Sequence, residues 1–369
     1  MRYCKRCVIP DTRPRIVFDE GGVCSACRHA EEKWNKIDWK ARWKELEDLC
    51  DKLRSKDGSY DCVVPVSGGK DGAYVAWRMK HDLKMHPLCV TWRGSGLDTD
   101  VGQKNLENFI NSGFDVIAVY PNGQVYRKLA RKGFVEFGDP FLPFIFGQMA
   151  APIRVAVNYG IKLVVYGEDG EVEYGGSPET KYSAAFDEDY IRRKLYSKQD
   201  VAKYADDEIS LADLKPFMLP SWEEIKRVGV VLTHFSYFEF WDPYKHYLLA
   251  KKKCGFQPLK GRSEGTFTNY ASLDDKTDGF HYYLIWMKYG YCRATSDAAH
   301  LIRERRLTRE KAIKLVKKYD GEFPKDYFKF YLDYMQITEK EFWEVMEKWR
   351  NKDIWEKVGG KWKLKVQLE

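Results

Sequence analysis

What this sequence lacks narrows it first. No apolar run is long enough to span a bilayer, so membrane insertion is not expected. The opening residues, Met1-Arg2-Tyr3-Cys4-Lys5-Arg6-Cys7, carry no apolar core of a signal peptide, so a cytoplasmic protein is expected. There is no internal repeat, no low-complexity segment and no concentrated basic arm. Lys and Arg are spread along the chain and the net charge is only +7, which suits a small anionic ligand and gives no dense patch for nucleic acid. The nine cysteines of a cytosolic chain point to metal or buried thiols in preference to disulfides.

What is present is enough for a large folded protein. A chain of 369 residues implies two or three domains, and a 44% apolar content supplies their cores. Two C-x-x-C pairs, Cys4/Cys7 and Cys24/Cys27, are separated by 16 residues. That spacing matches a closed four-thiolate zinc site, and the Pro- and Gly-rich stretch between the pairs suits a small ribbon over residues 1–30 that needs metal to fold. Trp34, Ile37, Leu46, Leu49, Cys50 and Leu53 recur at helical spacings and predict one linking helix over 31–56 within a segment 31–59.

Residues 60–180 alternate strands near 61–66, 87–92, 114–119 and 161–166 with helices near 71–84, 101–112, 123–133 and 141–158. The pattern predicts an α/β domain on a parallel sheet, with ligands at the carboxyl ends of the strands. The most informative end is Val66-Ser67-Gly68-Gly69-Lys70-Asp71-Gly72. Glycines let the backbone close on an anion, and the free N–H groups of the following helix point at it. A kinase-type P-loop is excluded because no Gly-Lys-Ser/Thr follows at the required spacing. Gly167 to Gly176, after the fourth strand, holds four acids and four glycines, and acids beside a phosphate site suggest magnesium, with Glu168 the best placed. Residues 181–300 complete the site region. Their polar stretch includes Arg262, Glu264, Thr266, Asp274, Asp275, Lys276, Asp278, His281, Arg293 and Asp297. The aromatic run from Phe235 reads as a strand or a pocket wall, and residues 301–369 read as a charged helical region with capping-type starts at Thr308 and Thr338.

Ser67-Gly68-Gly69-Lys70-Asp71 resembles the PP-loop of the ATP pyrophosphatases, an adenine nucleotide α-hydrolase-like fold, with Gly72 where that loop usually has Ser or Thr. Taken with Cys4-x-x-Cys7, Gly138-Asp139-Pro140, Gly167-Glu168, Glu264-Gly265-Thr266, Asp274-Asp275-Lys276 and Arg293-Ala294-Thr295-Ser296-Asp297-Ala298, the chain resembles the bacterial N-acetyl sugar amidotransferases of O-antigen and nonulosonic acid pathways. That resemblance implies an ATP- and magnesium-dependent exchange of C=O for C=NH on an acetamido sugar, through an adenylylated imidate. It implies catalytic roles for Lys70, Asp71, Glu168 and Asp139. It implies nucleotide contacts from Val66, Ser67, Gly68, Gly69, Asp71, Gly72, Thr91, Trp92 and Gly167. Contacts to an anionic sugar would come from Arg262, Glu264, Thr266, Asp275, Lys276 and Arg293. Trp92 is open to a second reading as a core residue. Ammonia is expected from a separate glutaminase subunit, since Arg2 stands where an N-terminal nucleophile domain would expose cysteine and no cysteine sits in a G-x-C-x-G elbow. A tRNA-thiolating PP-loop enzyme is the alternative, but the C-terminal region has no C-x-x-C. A zinc-ribbon scaffold that binds nucleotide without turnover is a third reading.

Overall fold

The structure, a computed structural model, describes residues 1–191, 193 and 200–369. After the cysteine turns come α1 (Ser25–Asn35) and α2 (Trp39–Leu53). The single helix expected over 31–56 is therefore two. Asp38 makes the break, because its carboxylate accepts from the N–H groups of Lys40 and Ala41 and starts a new helix.

The α/β unit follows as β1 (Cys62–Pro65), α3 (Lys70–His81), β2 (Pro87–Trp92), α4 (Asp100–Asn111), β3 (Asp115–Val119), α5 (Gly123–Lys132), α6 (Leu142–Tyr159), β4 (Leu163–Tyr166), α7 (Gly170–Tyr174) and β5 (Val231–His234). The five strands are parallel in the order β3-β2-β1-β4-β5. β1 is buried on both faces: Cys62 and Val64 pack with Ala73 and Met79 of α3, while Val63 packs with Ile153 and Ala156 of α6. Such double burial is why β1 reads as a continuous apolar run. The chain moves outward from β1 to β3, then crosses back to β4. This reversal leaves a crevice between the loops that follow β1 and β4, the place where open parallel sheets take their ligands.

β5 lies in the stretch that the sequence pattern leaves unassigned, since four residues carry too little periodicity to read. The aromatic run after it is a one-turn helix, Phe235–Phe238, with Phe235 and Phe238 fully buried in the core. Beyond residue 300 the helices Arg309–Tyr319, Phe328–Met335 and Glu339–Trp349 are as expected, whereas Asp278–Tyr289 and most of Arg293–Arg303 fall in the polar stretch where the sequence pattern assigns no helix. Thr308 and Thr338 cap two of them through their hydroxyls. The chain does not end helically, however. β6 (Trp355–Val358) and β7 (Lys361–Leu364) form an antiparallel hairpin. Gly359 and Gly360, at φ +59° and +79°, supply the two left-handed residues that a tight hairpin turn requires.

The four cysteines share a core with Tyr291, Ala298, Ala299, Ala312, Val316 and Leu368. The N-terminal ribbon is thus packed on the C-terminal helices. Among the described residues, no helix is long and apolar enough to cross a membrane.

Candidate active site

The turn after β1 is built for close approach. Gly68 has φ +86°, and a side chain there would meet the backbone of Leu106 in α4, with Cβ 2.7 Å from its nitrogen. The buried Arg93 guanidinium donates to the Ser67 carbonyl at 2.7 Å and pairs with Asp98, which holds the turn in place. Gly69 starts α3 without a side-chain cap, and its own N–H donates to the Ser67 hydroxyl at 3.3 Å. Gly72 stands where a hydroxyl residue is usual for the resembled loop. A Cβ at this position would come within 3.0 Å of the Pro65 carbonyl oxygen and the Val66 Cα, so close packing of α3 on the end of β1 selects glycine.

Lys70 and Asp71 form an ion pair at the start of α3. Asp71 also accepts from Nδ1 of the buried His246 at 2.8 Å. Burial lowers the His246 pKa, which keeps the ring neutral and leaves Nδ1–H as the donor. Burial alone would raise the Asp71 carboxyl; Lys70 and His246 outweigh it and hold the group well below the carboxylate range. Across the crevice, Glu168 follows β4 and accepts from the Tyr174 hydroxyl at 3.1 Å. Burial, reinforced by Asp71 and Glu173, pushes its pKa up to about 7.

Two cavities adjoin this turn. The smaller, about 180 Å³, runs along Ser67, Gly68, Gly69 and Lys70 to Asn105 and residues 270–274. The larger, about 430 Å³, opens from Lys70, Asp71 and Glu168 between aromatic walls that include Phe141, Phe144, Tyr244 and Tyr282. Lys70, Asp71, Tyr270, Ala271, Asp278 and Arg293 line both. Arg293 is held by Asp297 at 3.0 Å and by the Tyr282 hydroxyl at 2.6 Å. Asp297 is itself fixed by the hydroxyls of Thr266 at 2.6 Å and Thr268 at 3.1 Å. One carboxylate oxygen of Asp278 is buried without a partner. The crevice therefore joins an anion cradle to a polar, aromatic-walled chamber.

Most residues named from the sequence fall into three groups, and Val66, Gly72 and Gly167 line neither cavity. Ser67, Gly68, Gly69, Lys70, Asp71, Glu168 and Arg293 line the cavities. Thr266 and Asp139 stand behind cavity residues: Thr266 holds Asp297, and Asp139 holds His281 at 3.1 Å. The third group requires correction. Trp92 is a core residue, with its indole N–H donating to the Pro143 carbonyl at 3.1 Å and its ring against Gly147, where a Cβ would overlap it at 1.7 Å. Thr91 is fully buried. Neither side chain lines either of the two cavities: α6 covers Trp92, and the Thr91 hydroxyl accepts from Arg93 Nε at 3.4 Å. Arg262 is spent on a two-point pair with Glu322, both contacts at 2.6 Å, and Glu264 accepts from the N–H groups of Lys325 and Asp326. Asp275 caps Thr277, and Lys276 donates to the Gly96 carbonyl. These four brace loops where they were expected to meet a sugar.

His246, Gln148, Tyr174, Tyr282 and Glu304 were not singled out from the sequence. A lone His in the helix Pro243–Lys253, or a Glu in a basic stretch at Arg303-Glu304-Arg305-Arg306, carries no spacing signal. Only packing brings them to the crevice.

In the N-terminal ribbon the ligand atoms of Cys4, Cys7, Cys24 and Cys27 lie within 4.8 Å of one another and all four residues are buried. The N–H groups of Arg6, Cys7 and Cys24 donate to the Cys4 sulfur. A ring of thiols with amides aimed at a sulfur fits a thiolate-bound metal ion.

Residues 264–369 match the family described as LPS biosynthesis protein WbpG-like, C-terminal domain. This WbpG-like stretch supplies Asp278, Arg293, Asp297 and Glu304 to the large cavity and Thr266 behind it. The chain is also 30% identical over 88 residues, 24% of its length, to the uncharacterized protein MJ1599 of Methanocaldococcus jannaschii, and the match spans 31% of that protein. Among solved structures, the U34-tRNA thiolase NcsA from Methanococcus maripaludis with its 4Fe-4S cluster is similar over 87% of this chain and 90% of that one, at 11% identity and a TM-score of 0.34.

Proposed function

We propose that the chain is an ATP-dependent amidotransferase that converts the acetamido group of a bacterial surface-polysaccharide sugar, nucleotide-linked or nonulosonic acid, into an acetamidino group. The observation that carries this reading is the pair of joined cavities: an anion cradle at the glycine turn opens into a chamber large enough for a sugar, and Lys70, Asp71 and Arg293 face both. The match of the chamber's C-terminal wall to a lipopolysaccharide-biosynthesis domain supports the substrate class.

An amide carbon is a weak electrophile and its oxygen a poor leaving group. In the proposed reaction the amide oxygen attacks the α-phosphorus of ATP and the bond to pyrophosphate breaks. Ammonia then adds to the imidate carbon, AMP departs with the former amide oxygen, and C=NH remains. Ser67, Gly68 and Gly69, with the start of α3, hold the departing pyrophosphate, and the backbones of Val66, Gly72 and Gly167 border the nucleotide. Lys70 offsets the negative charge. Asp71 and Glu168 are the carboxylates to hold magnesium, which would supply charge neutralisation at the phosphates. Arg293, oriented by Asp297 and Tyr282, is the cation to meet the sugar's carboxylate or phosphate, and Asp139 positions His281.

The four-cysteine ribbon is assigned structural zinc. Its sulfur separations of 3.7 and 4.0 Å fit a tetrahedron around one ion, whose edge is about 3.8 Å for a Zn–S bond of about 2.3 Å. Ammonia is assigned to a partner glutaminase. Cys50, Cys62, Cys89, Cys254 and Cys292 are buried, burial raises the pKa of each thiol, and none lines either cavity. The same burial argues against the tRNA-thiolating alternative, which needs a reactive cysteine beside ATP.

The test is product analysis with ATP, magnesium, ammonium and a panel of acetamido sugars, followed by phosphorus NMR and mass spectrometry. AMP and pyrophosphate are expected in step with a sugar in which O has become NH. ATP left intact across the panel, with AMP formed only when tRNA is added, would replace this reading by the RNA-modifying one.

A further inference from the structure

The proposed reaction has to happen where the two cavities meet. The α-phosphorus of a nucleotide at the glycine turn and the acetamido group of a sugar in the chamber can touch only at that border. Six residues line both cavities: Lys70, Asp71, Tyr270, Ala271, Asp278 and Arg293. Their polar groups are not equally free. Lys70 and Asp71 pair with each other, and Asp71 also takes the His246 N–H at 2.8 Å. Arg293 is turned to Asp297 and to the Tyr282 hydroxyl. The Tyr270 ring stacks on Tyr247, and burial pushes its phenol above the ordinary range, so it is no base at neutral pH.

Asp278 is the exception. It opens the helix Asp278–Tyr289, and one of its carboxylate oxygens is buried with no hydrogen bond. Arg293 and His281 attract the carboxylate, but Arg293 donates elsewhere and His281 is held by Asp139 at 3.1 Å. The Ser272 hydroxyl, also without a partner, can turn to one oxygen and still leave the other. Burial outweighs these attractions and raises the carboxyl, so the group takes up a proton more readily than a carboxylate in water. A buried acceptor left open at a ligand site calls for a donor on the ligand.

A phosphate is the wrong partner for this group, by charge. An acetamido group brings one N–H, beside the oxygen that must attack phosphorus. Attack by the neutral amide would leave its nitrogen protonated and positive near Lys70 and Arg293, which is unfavourable. Removal of the N–H proton during attack avoids that charge and strengthens the oxygen as a nucleophile.

We infer that Asp278 is the general base of the adenylylation step: it receives the acetamido N–H and takes its proton as the amide oxygen attacks the α-phosphorus. The inference deepens the amidotransferase reading and rests on it. The N–H bond breaks towards the Asp278 oxygen, and its electron pair forms C=N. The C=O π pair forms the bond from oxygen to phosphorus, and pyrophosphate leaves with the electrons of the broken P–O bond. When ammonia adds to the imidate carbon, Asp278 returns the proton to the nitrogen it came from.

The test isolates adenylylation by leaving ammonia out. The full chain is given ATP, magnesium, labelled pyrophosphate and the acetamido sugar that product analysis shows to be amidinated. Label is expected to enter ATP only when the sugar is present. Asp278→Asn is expected to slow this exchange about a hundredfold or more, the usual effect of losing a general base. Its affinity for α,β-methylene-ATP with magnesium is expected to stay that of the unsubstituted protein. Where Asp278→Asn does not fold, the N-methylacetamido counterpart of the sugar is given to the unsubstituted protein. It is expected to compete with the sugar and to support no exchange, because it has no N–H to give up. Exchange at the full rate in Asp278→Asn, or with the N-methyl sugar, would overturn the inference and leave the amidotransferase reading intact. Loss of nucleotide-analogue affinity in step with exchange would overturn it too, by assigning Asp278 to the ribose or the magnesium. Neither exchange nor amidination with any sugar in the unsubstituted protein would remove the amidotransferase reading itself, and the role of Asp278 with it.

Discussion

Asp275 shows how a single side chain in this protein can be mistaken for a ligand contact. It sits in a dense polar stretch, yet its carboxylate accepts from the N–H and the hydroxyl of Thr277, both at 2.6 Å. Burial pushes its pKa up to about 7. The folded state therefore holds a proton on this group that the unfolded chain has released above its ordinary carboxyl range. The stability Asp275 contributes is full below about pH 4 and is lost as pH rises towards about 7, at no more than about 1.4 kcal/mol per pH unit. Denaturant melts of Asp275→Asn and of the unsubstituted protein at several pH values check this. The difference between the two should grow in favour of the variant from pH 4 to 7 and level off above. A constant difference would mean that the carboxyl is not held protonated.

At the level of elements, the cysteine ribbon and the C-terminal helices depend on each other. Cys4, Cys7, Cys24 and Cys27 pack with Ala298 and Ala299, on the helix that carries Arg293 and Asp297. A ribbon of this size cannot bury enough apolar surface to order itself, so bound metal is expected to supply its folding energy. Elemental analysis should find about one zinc per chain. Removal by a chelator should lower Tm by several degrees and weaken sugar binding, although no cysteine of the ribbon lines the cavities. Readdition of zinc should restore both. A metal-free protein of unchanged Tm would rule out the structural role. Beside the ribbon, α1 is tied to α7 by the buried Lys33–Glu173 pair.

Across the whole molecule, the site exists only because distant parts of the chain meet. The cavity at the glycine turn is formed by residues 67–71 together with residues 270–274, and the chamber by α6 and the loop after β4 together with the helix Arg293–Arg303. ATP is therefore expected to protect amides in both halves of the chain in a hydrogen-exchange experiment: those at the start of α3 and those of 270–274. Protection confined to residues 67–71 would show that the C-terminal half does not close on the nucleotide.

The sequence by itself determined the parallel α/β sheet, the glycine turn and the four-cysteine ribbon. Each is written in local terms: an apolar run doubly buried in β1, a left-handed glycine at Gly68, and a C-x-x-C knuckle repeated once. Even the terminal hairpin had its sign in Gly359-Gly360, masked by the helical pattern before it. Which polar residues line the cavities was decided only by tertiary structure. Arg262, Lys276 and Arg293 look alike in the chain, but Arg262 faces Glu322, Lys276 faces the Gly96 carbonyl, and Arg293 faces the cavities. Trp92 and His246 changed places with expectation for the same reason. A side chain's direction depends on which elements pack over it, and α6 closes over Trp92 while the helix Pro243–Lys253 carries His246 to Asp71. No local pattern encodes that packing, because it is set by contacts between residues far apart in the chain, 51 positions for Trp92 and Pro143 and 175 for Asp71 and His246.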